Sequence, residues 1–328
     1  YTCGFYKIPV IGLSARDSVF SDKNVHNSFM RTVAPYWDQA EVWVDIVEHF
    51  NFKSVLFVHS GDQEGRAMLG KFQNKAEERD IKIDHNIQYM AGVENYTDIL
   101  HWMTEEESRV ILLYASEEDA ANIYRDAGNL NLTGSGYAWI VTEQALRPHN
   151  TPEGVLSLKL QNADNEEGHI KDAVRIVAKA YKAMHEANEP IPRSPHDCSQ
   201  TLTGGENGDV SFRYLTQQEL LNGATGKVKF NEVGDRVNPV YKIVNKQGDR
   251  EVEVGSYNPN SKPKLSLEDV GIVWPGGETK KPKGVKISTH LKVVTISELP
   301  FIYTKTMEEA GYCDRDNRVP CSHIDDAT

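Results

Sequence analysis

Two rhythms of apolar and polar positions alternate along the first 188 residues. Between Tyr36 and Phe50, Ala40, Trp43, Val44, Val47 and Phe50 recur at helical spacing and predict a helix with one apolar face. Ser54 to His59 is instead a nearly continuous apolar run, the mark of a strand covered on both faces in a parallel sheet. The pattern then predicts a helix over 64–79, an extended stretch over 81–90, a helix over 96–107 and a strand over 109–114. Ser116 with Glu117, Glu118 and Asp119 reads as an N-cap and an acidic first turn, opening a helix that stops at Gly128. Strands over 137–141 and 154–160 and a long helix over 168–187 complete the run, and a short strand over 7–13 precedes it. Strand and helix in this order predict an α/β fold, with parallel sheets flanked by helices on both faces.

The pattern changes after residue 188. Pro190, Pro192 and Pro195, then Gly204, Gly205 and Gly208, predict a long surface loop, followed by a helix over 209–221. A strand over 227–230 precedes two alternating segments, 240–245 and 251–257, which read as a hairpin turning at Lys246–Asp249. The Pro- and Gly-bearing stretch 259–283 reads as a linker, and 291–296 as the first strand of something new. A length of 328 residues favours two lobes or two domains.

Charge and cysteine content narrow the function. A net charge of −12 argues against a nucleic-acid or anionic-membrane surface, and the one basic cluster, Lys280-Lys281-Pro282-Lys283, is broken by proline. No apolar run approaches the ~20 residues a bilayer requires. The chain opens Tyr1-Thr2-Cys3-Gly4, without initiator Met or leader pattern, and is expected to start inside a longer one. Cys3, Cys198, Cys313 and Cys321 have no zinc spacing, so neither a metal nor any other cofactor is expected. Gly65 to Lys71 matches Gly-x4-Gly-Lys, but Phe72 stands where a hydroxyl must hold magnesium, and the match falls inside a predicted helix. Gly134-Ser135-Gly136 is a turn, not a nucleophile elbow, and His26, His59 and His169 have no ligand spacing. No enzymatic site is expected. Trp43, Trp102 and Trp139 are expected to fill cores. The loop holding Ser14, Arg16 and Ser18 leaves the end of a strand, where open α/β sheets place ligands, and is a candidate carboxylate site in a cleft. Sequons begin at Asn95 and Asn131.

Several segments point further. Ile8 to Leu13, Ser21-Asp22-Lys23, Phe29 to Tyr36, Ala115 to Ala121, Leu132 to Trp139, Thr225 to Arg236 and Ile272 to Thr279 together resemble the periplasmic-binding-protein-like amino-terminal domain of NMDA-type ionotropic glutamate receptors, in its glycine-binding subunit and invertebrate form. Leu291 to Thr304 is similar to the start of the agonist-binding domain. The resemblance implies a bilobed clamshell with an incomplete first lobe: 1–34 and 148–225 in lobe 1, 35–147 and 226–273 in lobe 2, a linker over 274–290, and 291–328 opening the next domain. It implies a regulatory and assembly domain on the extracellular side of the postsynaptic cell membrane, paired with a glutamate-binding subunit within a tetramer. Lobe motion there biases channel opening, and glycine is held by parts outside this chain. Tyr1, Thr2, Phe5, Lys7, Val25 and Asn27 fall on the subunit interface and its modulator pocket, with Lys7, Val25 and Asn27 replacing the family's Arg, Ile and Leu. Asn95 and Asn131 carry glycans. Cys198, Cys313 and Cys321 pair with cysteines outside the chain, and Cys3 has no expected partner. The alternative is a soluble amino-acid-binding protein or class C receptor ectodomain of the same fold.

Overall fold

In the computed structural model, residues 2–190, 208–268 and 270–286 are described, all within one unit, Tyr1–Lys286. Tyr1, Cys198, Cys313, Cys321 and the strand expected over 291–296 lie outside the described residues. The alternating rhythms become β3 (Ser54–Ser60), α3 (Gln63–Glu77), β4 (Lys82–Tyr89), α4 (Thr97–Glu105), β5 (Val110–Tyr114), α5 (Glu117–Asn129), β6 (Ala138–Val141) and α6 (Glu143–Leu146). Helix α2 (Gln39–His49) precedes them behind a 3-10 turn, Tyr36–Asp38, and β7 (Leu156–Leu160) follows. The strands β4, β3, β5, β6 and β7 lie side by side and parallel. β10 (Tyr241–Gln247), β11 (Arg250–Tyr257) and β12 (Leu265–Leu267) extend the same sheet antiparallel beyond β7, giving eight strands.

Period-2 alternation divides each central strand between two cores. Val55 and Phe57 of β3 face one core with α2 and α3, where Trp43 and Phe57 meet edge-on at 5.8 Å. Leu56 and Val58 face the other, with α4 and α5, where Trp139 is fully buried and donates its Nε1–H to Leu132 O at 2.9 Å. All five residues of β5 are buried, which is why its sequence reads as an unbroken apolar run. The helix starts are set by side chains. Asp62 accepts from Gly65 N, Ser116 from Asp119 N, and Asn165 from Gly168 N at the start of α7 (Glu166–Glu186).

A smaller core stands apart from the large sheet. β1 (Val10–Gly12) pairs parallel with β2 (Phe29–Arg31), and β8 (Glu219–Gly223) pairs antiparallel with β9 (Gly226–Lys229). Met30, Ile176, Ala180, Leu215, Val228 and Phe230 form its centre, drawn from these strands, α7 and α8 (Gly208–Thr216). Short α1 (Thr2–Phe5) leads into it.

Four expectations are corrected. The helix expected over 209–221 ends at Thr216, and Glu219–Gly223 is a strand, because Asp172 captures the Ala224 and Thr225 N–H groups and folds the chain back into a hairpin. The stretch expected as linker is packed: β12 adds to the sheet edge, and Trp274, 2% exposed, meets Phe50 at 5.0 Å and Phe52 at 6.3 Å. Its prolines and glycines shape turns between spaced apolar anchors. Trp102 fills no core; it is 65% exposed, on the opposite face of α4 from buried Leu100 and Met103. Residues 148–225 do not travel together either, since β7 lies in the large sheet and β8 in the small hairpin.

Candidate functional site

The chain passes between the small core and the large sheet at three places: 32–35 after β2, 161–165 after β7 and 230–240 after β9. Buried charged groups tie these crossings together. Arg31 is 0% exposed. Its Nε donates to Asp235 Oδ1 at 2.6 Å, its Nη1 to the carbonyls of Ala15 (3.1 Å) and Asp17 (2.7 Å), and its Nη2 to Ser21 Oγ at 2.5 Å. Ser21 in turn donates to Asp235 Oδ2 at 2.7 Å. Such a fork, with each nitrogen engaged, offsets the cost of burying the charge.

Arg236 does the same one residue on. Its Nη1 reaches Thr32 O at 2.7 Å and Thr225 Oγ1 at 2.8 Å, and its Nη2 reaches the carbonyls of Thr225 and Lys227, both at 2.9 Å. Burial pulls its pKa down to about 10, with Asp172 pushing the other way. His169 joins the second crossing to the first: Nε2 lies 3.1 Å from Asn162 O and Nδ1 lies 2.9 Å from Thr32 Oγ1. A carbonyl only accepts, so Nε2 carries the proton and Nδ1 accepts from the threonine. Burial lowers this imidazole's pKa, so the ring is neutral at pH 7.

In the loop after β1, two of the three guanidinium nitrogens of Arg16 are engaged within the chain, and Nη2 is buried without a hydrogen-bond partner. Arg16 Nη1 pairs with Glu143 at 2.8 Å, its Nε donates to Ala34 O at 3.0 Å, and its guanidinium lies 4.2 Å over the Tyr36 ring. Glu143 at the start of α6 supplies the counter-charge of Arg16 at the first crossing through Nη1. Ser14 is exposed, and Ser18 is buried with its N–H donating to Glu64. A cavity of about 360 Å³ opens at the carboxyl ends of β3, β4 and β5, lined by Ser60, Asp62, Tyr89, Tyr114 and Gln144 among others. None of the three loop residues lines it.

On the small core, α1 lies against the turn at 25–27 at Gly4. A Cβ on Gly4 would sit 3.0 Å from Asn27 Oδ1. Phe5 is 71% exposed and Val25 36%, with Ile8 beside them in sequence at 52%. Thr2 and Asn27 are exposed, and Lys7 pairs with Asp209 at 2.6 Å. Lys23 holds the neighbouring loop, its Nζ donating to the carbonyls of Phe20, His26 and Phe29 at 3.2, 3.2 and 2.7 Å. Cys3 is exposed and unpaired. Both sequon asparagines are exposed; Asn131 takes φ 57° in the turn after α5, and Asn95 Oδ1 accepts from Thr97 N at 2.9 Å.

Gly65 to Lys71 lies within α3, with the Gly65 amide given to Asp62, so this segment cradles no phosphate. Among the described residues, no group of three or more His, Cys, Asp or Glu is placed to hold a metal ion, and no helix is long and apolar enough to cross a membrane. The sequence reading passed over Arg31, Asp235, Arg236, Asp172 and Glu64. The available signal was a lone arginine closing an apolar strand, Phe29-Met30-Arg31, and an Asp-Arg pair in a turn.

Comparison with known proteins places this geometry among receptors. The model described as receptor family ligand binding region matches residues 2–169 and 161–249. The chain is similar to glutamate (NMDA) receptor subunit 1 of Drosophila ananassae, at 43% identity over 340 residues, covering 100% of this chain and 34% of that protein. The Drosophila persimilis and Drosophila grimshawi proteins of the same name are also 43% identical over 332 residues, 98% of this chain. The chain thus spans about a third of the length of these curated relatives.

Proposed function

Because the chain belongs to the receptor family ligand binding region, we propose that it is part of the extracellular portion of an NMDA-type ionotropic glutamate receptor subunit of the glycine-binding, invertebrate kind. In this reading it assembles with a glutamate-binding subunit at the postsynaptic membrane and biases channel opening through movement of its two cores. Glycine is bound by parts of the polypeptide outside this chain, and no catalysis is involved. The observation that carries the reading is the triple crossing tied by Arg31, Arg236 and His169. This hydrogen-bonded triple crossing joins two separate cores, the construction of a hinged regulatory domain.

Thr2, Phe5, Val25 and Asn27 supply the pairing surface, with Phe5 as its exposed aromatic anchor. Asn27 makes a poor wall for an apolar modulator, since a desolvated amide left unpaired costs about 1–3 kcal/mol. The test is co-expression of the full-length subunit with a glutamate-binding partner. Phe5→Arg with Val25→Asp is expected to cut co-precipitation and surface expression several-fold while the subunit still folds. Unchanged assembly would remove this surface from the interface. The cavity at the strand ends favours a second reading, a soluble amino-acid-binding protein or class C receptor ectodomain. Calorimetry with free amino acids separates the two.

A further inference from the structure

The outer face of α4 carries an indole that the packing of the core does not use. Tyr96, Leu100 and Met103 belong to the core beneath the sheet, whereas Asp98, Trp102 and Glu105 are exposed on the other side. Trp102 is 65% exposed, while Trp43, Trp139 and Trp274 are 2% exposed or less and Trp37 is partly buried.

Asn95 continues this outer stripe. Positions 95, 98, 102 and 105 follow the three- and four-residue steps of one helical face. At 1.5 Å per residue, Asn95, just ahead of α4, stands roughly 10 Å along the axis from Trp102, a span that an asparagine side chain and two sugar rings together cover. The sequon is held still. Tyr96, its middle residue, is 1% exposed, donates its N–H to Asp126 Oδ2 at 2.7 Å and its hydroxyl to Asp119 Oδ1 at 2.6 Å. Asn95 itself is exposed, and its Oδ1 accepts from Thr97 N at 2.9 Å. That bond holds the amide plane and leaves Nδ2, the atom that takes a sugar, outside it.

We propose that Trp102 is the docking platform for a glycan on Asn95, with the indole face stacked against its N-acetylglucosamine core. This rests on the extracellular reading above, because the sugar is added on the secretory route. Attachment joins Nδ2 to C1 of the first sugar; the amide loses a proton and the diphosphate carrier of the sugar donor departs. A pyranose ring suits the platform. Its C–H faces are apolar and match the negative face of the indole, while its hydroxyls can donate to carboxylates such as Asp98 and Glu105 on the same stripe. A lipid or apolar protein surface would instead have to strip water from those carboxylates.

The test is acrylamide quenching of tryptophan fluorescence on the whole 328-residue chain, secreted from eukaryotic cells and compared with Asn95→Gln. Trp102→Phe, run in both backgrounds, isolates the Trp102 signal. Its quenching is expected to rise about twofold in Asn95→Gln, because a stacked sugar covers one of the two ring faces. In native digestion with a peptide N-glycosidase, Trp102→Ala is expected to speed release of the Asn95 glycan several-fold and leave release from Asn131 unchanged. Equal Trp102 quenching with and without the glycan overturns the docking. So does a release rate that Trp102→Ala leaves alone; should that variant fail to fold by circular dichroism, the quenching comparison decides. A chain glycosylated at Asn131 but not at Asn95 also overturns it and leaves the extracellular reading standing, whereas sugar at neither site counts against both.

Discussion

Removing Asp235 tests how the triple crossing is held. The Arg31 side chain is 0% and that of Asp235 4% exposed, and they meet at 2.6 Å. Asp235→Ala leaves a buried guanidinium with its Nε unpaired and also strips the acceptor from Ser21. Breaking a buried ion pair from one side costs about 3–5 kcal/mol, mostly the burial of the remaining charge. The Ser21 bond is lost to the same deletion, so its share of about 1–2 kcal/mol is contained in that figure. With a urea slope of about 3 kcal/mol/M, the unfolding midpoint drops by roughly 1 M or more. Asp235→Asn keeps the volume and one acceptor and should fall between the two. Equilibrium urea unfolding followed by tryptophan fluorescence measures the shift. A midpoint within about 0.3 M of wild type at unchanged slope would refute a stabilising role for the pair.

Other outcomes follow from the same structure. Gly65→Ala should cost about 1–3 kcal/mol, because the new Cβ would stand 2.1 Å from Ser60 O; thermal unfolding reads it. Asp38, raised to about 7 chiefly by burial, holds its proton more tightly folded than unfolded. Its stabilisation is full below about pH 4 and is lost as pH rises through 7, so Asp38→Asn should flatten the stability profile across that window. Lys23, lowered to about 8 by burial, acts oppositely: the unfolded chain binds more protons between about pH 8 and 10.5, so stability should gain from rising pH there, and Lys23→Met should remove the gain. Asn95→Gln and Asn131→Gln should each remove one step in electrophoretic mobility from the secreted chain.

Much of the fold was legible because burial and period coincide. β3 and β5 are buried on both faces, and their sequences read so; Ser116 both looks like a cap and accepts from Asp119 N. The misreadings occur where a distant partner overrides local pattern. Nothing near Glu219 announces a strand, because what folds the hairpin back is Asp172, in a helix some fifty residues earlier. The stretch after 259 looked like a linker because its apolar anchors are sparse, yet Trp274 packs against Phe50 and Phe52 from far earlier in the chain. Arg16, judged by its place after a strand, also pairs through Nη1 with Glu143, whose approach no local spacing reveals.

The partners of Arg31 and Thr32 impose an order on biosynthesis. β3, β5 and β6 with their helices can associate as soon as residues 54–141 are made, since each strand lies next to one nearby in sequence. The segment 10–31 emerges before these strands but must wait for Asp235 and Arg236, more than two hundred residues later, before its arginine is neutralised and its β1–β2 ribbon is locked in place. Until then the five parallel strands of the large sheet are preceded by an unfinished ribbon, with Met30 and Ile11 uncovered. Translation past residue 236 locks the ribbon, and β10, β11, β12 and Trp274 then complete the large sheet and its core; the interval before is when the nascent chain leaves apolar surface uncovered.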